Sequence, residues 1–160
     1  MSGPATPDGQ GRLLGIARRP ASGAPVETTE RAAITLSRGV AGDCKGATRA
    51  GKPSKRQVTL LDAAGWQAAL AEIGADIDWH HRRANLYIGD IRLPRTPGTR
   101  IAVGAEVVLE VTAECNPCFK MEALRPGLEA ALTPDWRGGV CTKVLIEGEI
   151  SVGDTIRIEA

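Results

Sequence analysis

The sequence contains few aromatic residues, which make up 3% of its 160 positions. Its core must therefore be built mainly from Val, Ile, Leu and Ala, and the length suits one domain of ordinary size. The formal net charge is only +1. Because a general nucleic-acid binder needs a clear basic excess, we expect no nucleic-acid partner.

The chain also lacks long apolar segments. No run approaches the length of a membrane span, and the first residues do not show the basic-then-apolar order of a signal peptide. These absences favour a cytoplasmic protein without a membrane partner, in which the four cysteines are reduced. A disulfide scaffold is not expected, because a chain of this length can fold without such cross-links.

The pattern of apolar and turn residues predicts a disordered leader over residues 1–11 and a single β-rich domain over residues 12–160. Residues 101–110 and 150–159 share the order apolar, glycine turn, apolar, which is common where strands turn in small barrels. Asp62 is expected to cap a helix that ends at Gly74. The predicted fold class is therefore mainly β, a barrel with two or three short helices. Strands are predicted at residues 11–18, 32–37, 57–61, 85–89, 106–113, 140–147 and 155–159.

The most informative stretch is residues 107–132, where a β-branched strand leads into a segment with helical spacing. Cys115 and Cys118 lie at this junction. Pro117 suits the first turn of a helix, since its missing N–H has no partner to lose there. Cys118 is then expected in the first turn, where free N–H groups and the helix dipole stabilise a thiolate. A thiolate attacks electrophiles and binds soft metals.

Three interpretations of the Cys115-x-x-Cys118 pair remain open. A structural zinc site would need two more ligands, and Cys44 and Cys141 are isolated single cysteines. A thioredoxin-type dithiol fits the strand-to-helix position, but the chain lacks alternating β and α units. In the third interpretation Cys118 is one functional thiol and Cys115 is a bystander. Cys44 and Cys141 are expected to be inert packing residues.

Several basic and polar residues are candidates for binding an anion. Residues 47–56 are either a solvated basic loop or a flexible clamp, with glycines allowing close backbone approach. Arg82, Arg83 and Asn85 precede a predicted strand, and guanidinium groups suit phosphate or carboxylate. Arg137 precedes two glycines that mark a bend and leave room for a ligand. His80 and His81 are adjacent, so we expect them to point in different directions and not to share a metal.

Six short motifs in the sequence resemble those of a known protein family. Their order along the chain resembles that of a stand-alone bacterial MOSC domain, the module found at the C-terminus of molybdenum cofactor sulfurases. The resemblance runs from about residue 12 to the end. The motifs that carry it are Gly39-x-x-Gly42-Asp43, residues 56–62 (RQVTLLD), residues 82–86 (RRANL), Asn116-Pro117-Cys118, residues 134–140 (PDWRGGV) and Gly148-x-Ile150-x-x-Gly153-Asp154.

The resemblance implies a MOSC-type β-barrel that binds molybdenum cofactor (molybdopterin). The family's cysteine corresponds to Cys118, which is implied as catalytic residue and as metal ligand. Positive partners for the pterin's phosphate would be Arg56, Arg82, Arg83 and Arg137, with Asn85 beside them.

Two functions are implied. The first is a small molybdoenzyme that reduces N-hydroxylated compounds with an external electron donor, as amidoxime-reducing relatives do. The alternative is a non-catalytic sulfur carrier or cofactor-handling module, in which a cysteine desulfurase loads Cys118 with a persulfide. The chain lacks the additional N-terminal barrel of the amidoxime reducers. It also lacks the aminotransferase-like domain of the sulfurases, so pyridoxal phosphate is not expected.

Overall fold

The computed structural model describes residues 10–21, 23–44 and 55–159. Seven strands close into a barrel, because the last strand of the chain pairs antiparallel with the first. The strands of the chain are β1 (Gln10–Arg18), β2 (Glu27–Thr29), β3 (Arg31–Thr35), β4 (Gly39–Val40), β5 (Val58–Asp62), β6 (Leu86–Gly89), β7 (Arg100–Val103), β8 (Val107–Glu114), β9 (Val140–Ile146), β10 (Gly148–Ser151) and β11 (Thr155–Glu159).

The barrel runs in the order β11, β7, β8, β9, β5, β6, β1, and β2 pairs with the far end of β1. Strands β10, β3 and β4 form a separate small sheet. Alternating burial along β8 sends every second side chain into the barrel. The barrel interior is filled by aliphatic residues such as Leu60, Leu86 and Leu109, as the scarcity of aromatics predicts.

The helices cover one side of the barrel. They are α1 (Ala63–Ile73), α2 (Phe119–Leu124) and α3 (Leu128–Leu132), with 3₁₀ helices at Trp79–Arg82 and Pro134–Trp136. Strand β5 is buried on both faces because it lies between the barrel interior and this helical layer. Helix α1 connects β5 to β6, and these two strands therefore run parallel.

The prediction for α1 is confirmed at both ends. The Asp62 carboxylate accepts a hydrogen bond from the Gly65 amide at 2.6 Å, which caps the helix. Gly74 ends it in the left-handed region with φ 63°, where a residue without a side chain is favoured. Trp66 and Leu70 belong to a second group of buried apolar residues, which is separate from the barrel interior and lies beneath the helices.

All seven predicted strands are present, with ends displaced by at most two residues. The prediction missed the short strands β2, β4, β7 and β10. Gly104 and Gly153 both adopt positive φ, so the two similar segments do share a local turn. Their pairing differs, since β7 and β8 form a hairpin whereas β10 and β11 belong to different sheets. Strand β1 begins at Gln10, inside the predicted leader, and residues 1–9 lie outside the described residues.

Among the helices that the structure describes, none is long and apolar enough to cross a membrane.

Candidate functional site

A cavity of about 200 Å³ opens where the end of β1, the start of β6 and the loop after β8 meet. Its wall is strongly basic, with six basic side chains and one carboxylate among the residues that line it. The basic side chains are Arg18, Arg19, Arg56, Arg82, Arg83 and Lys120, and the carboxylate is Asp43. An excess of guanidinium groups of this kind suits an anionic ligand.

Cys118 lines this cavity and is exposed. It does not lie inside the first helical turn as expected, since α2 begins at Phe119 and Cys118 is its N-cap residue. Its backbone carbonyl accepts a hydrogen bond from the Met121 amide at 2.9 Å. Helix α2 spans only six residues, so positive charge at this wall comes mainly from arginine and lysine side chains and not from a helix dipole.

Cys115 is buried in the wall of the same cavity. Its sulfur accepts hydrogen bonds from Arg82 Nη2 at 3.5 Å and from Arg56 Nη2 at 3.6 Å. A hydrogen bond from the Cys141 thiol, together with the two guanidinium groups, lowers the pKa of Cys115 to about 6 against the opposing effect of burial. The same hydrogen bond and burial raise the pKa of Cys141. Cys115 therefore lies between two guanidinium groups in the cavity wall, and its interpretation as a functional bystander stays a prediction.

Arg82 is only 7% exposed and directs its guanidinium into the protein. It donates to the carbonyl oxygens of Gly138 at 3.2 Å and Cys115 at 2.8 Å. A side chain at Gly138 would collide with the Cys115 carbonyl, which a Cβ would approach to 2.7 Å. Arg82 thus fastens the loop that carries Cys115 against the chain before β9, and much of its hydrogen-bonding capacity is used within the protein.

Asn85 is also buried, and it joins three strands of the barrel. Its side-chain oxygen accepts from the amide and hydroxyl of Thr59 at 3.0 and 3.2 Å, and its Nδ2 donates to the Ala17 carbonyl at 3.1 Å. These three hydrogen bonds use three of the four that an amide side chain can form. Asn85 lines the cavity but mainly sets its shape.

The remaining predicted residues separate into two locations. Arg56 and Arg83 line the cavity, and Arg83 is exposed with a left-handed φ of 68°. Arg137 is not among the described residues that line the cavity. Its guanidinium donates to the Ala131 carbonyl at 3.1 Å and pairs with Glu72 at 2.9 Å, which places it against the helices. The structure therefore brings together Cys118, Arg56, Arg82, Arg83 and Asn85 but not Arg137.

The sequence analysis overlooked several residues of the cavity. Arg18 donates to Glu27 at 2.8 Å and to the Ala41 carbonyl at 3.1 Å, while the Arg19 amide donates to Asp43 Oδ1 at 2.9 Å. The sequence signal for these two residues was a pair of arginines at the end of a predicted strand. Lys120 was a second overlooked residue, and its position two residues after Cys118 was the signal there. Residues 47–54 of the predicted clamp (residues 47–56) lie outside the described residues.

A second cavity of about 510 Å³ adjoins the first. The two share Arg19, Val26, Arg83, Lys120 and Met121 in their walls. His80 and His81 line the second cavity together with apolar residues of α2. The two cavities therefore form neighbouring parts of one basic depression.

Comparison with known proteins identifies the family. The family model for the MOSC domain matches residues 41–157. The chain belongs to the MOSC domain family. This family is associated with molybdenum cofactor. A comparison with curated protein sequences returns no match.

Solved structures share the MOSC domain's fold with this chain. The YuaD protein from Bacillus subtilis has a TM-score of 0.76 and 16% identity, with 93% of this chain and 95% of that chain covered. YiiM from Geobacillus stearothermophilus has a TM-score of 0.63 and 14% identity over 94% of this chain and 73% of that chain. YiiM from Escherichia coli has a TM-score of 0.67 and 12% identity over 93% and 70%. Because the sequence identities are this low, these structures support the similarity of the fold alone.

Proposed function

We propose that this MOSC domain binds molybdenum cofactor in the basic cavity, with Cys118 as the thiolate ligand of molybdenum. The observation that carries the proposal is an exposed cysteine in the wall of a cavity that also contains six basic side chains. A thiolate is a soft ligand, and the surrounding cations suit the phosphate of the pterin.

The residues present fit such a group in both chemistry and charge. Arg83 and Lys120 are exposed residues in the cavity wall, so their charged ends can contact a ligand in the cavity. Arg19 lines both cavities and extends the basic surface toward the second one. Arg82 and Asn85 are held by the protein's own carbonyls and amides, and they would keep the floor of the site in shape.

The activity we propose is reduction of N-hydroxylated compounds with electrons from an external donor. When bound, the cofactor supplies two-electron redox chemistry at molybdenum. The chain itself would hold the metal through Cys118 Sγ and the phosphate through Arg83 and Lys120. The second cavity adjoins this position and combines basic with apolar wall residues, so we assign the organic substrate to it.

A second candidate function is supported by the accessibility of Cys118. Both Cys118 and its neighbour Phe119 are exposed, the latter by 72%. An exposed thiol beside an exposed aromatic ring is accessible to a partner protein. In this alternative a cysteine desulfurase transfers sulfur to Cys118, which carries it as a persulfide to the cofactor.

The two candidates are separated by metal analysis of protein made in a host that produces molybdenum cofactor. We expect about one molybdenum per chain by mass spectrometry, lost in Cys118→Ser and retained in the control Cys44→Ser. Cys44 is half-buried and is not among the residues that line the cavity. Protein without molybdenum but with a persulfide on Cys118 would support the sulfur carrier instead. Zinc that replaces molybdenum and is lost in Cys118→Ser would overturn both.

A further inference from the structure

The short helix Trp79–Arg82 brings three metal-binding side chains together. Ligand atoms of Asp78, His80 and His81 all lie within 4.8 Å of one another. From the sequence we expect the two adjacent histidines to point in different directions, but in this 3₁₀ helix their rings lie beside each other. The two imidazole rings have centroids only 4.5 Å apart, at an angle of 33°. We propose that Asp78, His80 and His81 form a binding site for a divalent transition-metal ion, with Zn²⁺ as the ion that fits best.

The backbone geometry brings Asp78 and His81 to one side of the turn. The His81 amide donates to the Asp78 carbonyl at 3.1 Å, which closes one turn of the 3₁₀ helix. In such a helix the residues i and i+3 are eclipsed, so Asp78 and His81 share one face. Arg83 then ends the turn in the left-handed conformation, and its amide donates to the His80 carbonyl.

Residues on both sides of the histidines fix this turn in place. The Trp79 ring stacks on Tyr87 with centroids 5.1 Å apart and planes 1° from parallel. It also lies against β1, where a side chain at Gly15 would approach the Trp79 ring to 2.6 Å. On the other side Arg82 is buried and bonded to the carbonyls of Gly138 and Cys115. The metal-binding side chains therefore project from an anchored segment, which reduces the entropy lost on binding.

The type of donor atom selects the metal. Two imidazoles and one carboxylate suit Zn²⁺ and its neighbours, whereas Mg²⁺ and Ca²⁺ prefer an all-oxygen shell. Ligands about 2.1 Å from a tetrahedral Zn²⁺ are about 3.4 Å from one another. Because the donor atoms lie within 4.8 Å of one another, each pair has to close by at most about 1.4 Å. Asp78 and His81 are exposed and His80 is half-buried, so side-chain rotation can provide this movement.

The surroundings indicate what else would bind at this ion. Three protein ligands leave one position of a tetrahedral zinc ion for water or another ligand. His80 and His81 line the second cavity, whose wall also contains Arg19, Arg83 and Lys120. These cations oppose the approach of a metal ion but attract anions. Under the proposed function this cavity takes the organic substrate, so we assign an anionic group of that substrate to the remaining position, held jointly by the metal and the basic side chains.

The test is zinc titration of tag-free Cys118→Ser protein, in which the exposed thiol cannot compete for the ion. Calorimetry should show one Zn²⁺ per chain. His80→Ala and His81→Ala should each weaken binding by more than the roughly 10–100-fold that follows loss of an outer hydrogen-bond partner of a metal ligand. The matched control is Asp76→Asn, an exposed carboxylate in the same stretch that is not one of the three ligands. Unchanged binding in both histidine variants, or no binding at all, would overturn the proposal.

A spectroscopic measurement covers the case in which another group binds the ion. Co²⁺ in the wild-type protein should give a spectrum of nitrogen and oxygen ligation that is lost in His81→Ala. A thiolate-to-cobalt charge-transfer band that persists in His81→Ala and disappears in Cys118→Ser would contradict the proposal. Molybdenum content is measured in parallel, and it should be the same in His81→Ala as in the wild type. Failure of this site is thereby distinguished from failure of the proposed cofactor site.

Discussion

Arg82 Nη2 donates to both the carbonyl oxygen and the sulfur of Cys115, at 2.8 and 3.5 Å. One buried guanidinium thus fixes the backbone of the loop before Cys118 and also stabilises the negative form of a thiol in the cavity wall. The position of Cys118 at the end of this loop depends on Arg82, although the two residues are far apart in the sequence.

Replacing Arg82 with lysine should therefore destabilise the protein. Lysine keeps the charge but cannot reach Gly138 and Cys115 together, because it lacks the planar fork of arginine. The loss of these hydrogen bonds in a buried position should cost about 3 kcal/mol of unfolding free energy. Urea denaturation measures the difference. The control Arg83→Lys changes an exposed neighbour and should alter the unfolding free energy by less than about 0.5 kcal/mol. Equal effects of the two variants would contradict this role of Arg82.

The thiol of Cys115 should react at unusually low pH. Because its pKa is lowered to about 6 from an ordinary 9.0, alkylation of Cys115 by iodoacetamide should reach half its maximal rate near pH 6. Mass spectrometry of the peptide that contains the residue gives the rate for Cys115 alone. The same peptide in urea-unfolded protein is the control and should show the ordinary midpoint. A midpoint near 9 in the folded protein would disprove the combined effect of the Cys141 hydrogen bond, Arg82 and Arg56 on the pKa of this thiol.

The same pKa shift predicts how stability depends on pH. A pKa that is lower in the folded than in the unfolded protein stabilises the fold above the unfolded value and ceases to do so below the folded value. The contribution of Cys115 should thus be complete above about pH 9, decrease as the pH falls, and vanish below about pH 6. Unfolding free energies of wild type and Cys115→Ala should therefore diverge as the pH is raised from 6 to 8. A constant difference over this range would be the contrary result.

Gly139 should be essential because its backbone lies against β5. It has φ 102°, and a Cβ would lie 2.2 Å from the Leu60 carbonyl oxygen. Gly153 is a close match with φ 100°, but nothing lies within 4 Å of its Cβ position. Gly153→Ala should cost about 1–3 kcal/mol through backbone strain alone. Gly139→Ala adds a collision to the same strain, so it should cost clearly more or prevent folding. Thermal unfolding of the two variants gives the comparison, and similar losses would argue against the collision.

The arginines near the site should differ in their effect on the cofactor. Arg83 lines the cavity, whereas Arg137 pairs with Glu72 and the Ala131 carbonyl. Under the proposed function, Arg83→Glu should lower molybdenum content strongly because it places a negative charge beside an anion. Arg137→Gln should retain molybdenum and lower only the unfolding temperature. Loss of molybdenum in Arg137→Gln at unchanged stability would instead support the role that the sequence motif implies for this arginine.

The sequence by itself determined most of the secondary structure, because those signals are local. Short runs of apolar and β-branched residues located β1, β5, β8 and β9, and the carboxylate of Asp62 with Gly74 bounded α1. The short strands escaped prediction because two to four residues carry too little periodicity. The order of six motifs was enough to indicate the MOSC family, which the family model confirms.

Only the tertiary structure decided which distant residues meet. The barrel closes through pairing of β1 with β11, and no local pattern records that contact. Tertiary packing also turned Arg137 toward the helices, placed Cys115 between two guanidinium groups, and brought Arg18 and Arg19 to the cavity. The direction of a long side chain depends on partners far along the chain, as Arg82 and Gly138 illustrate. Sequence patterns therefore selected Cys118 as the candidate residue, whereas packing determined the environment in which it lies.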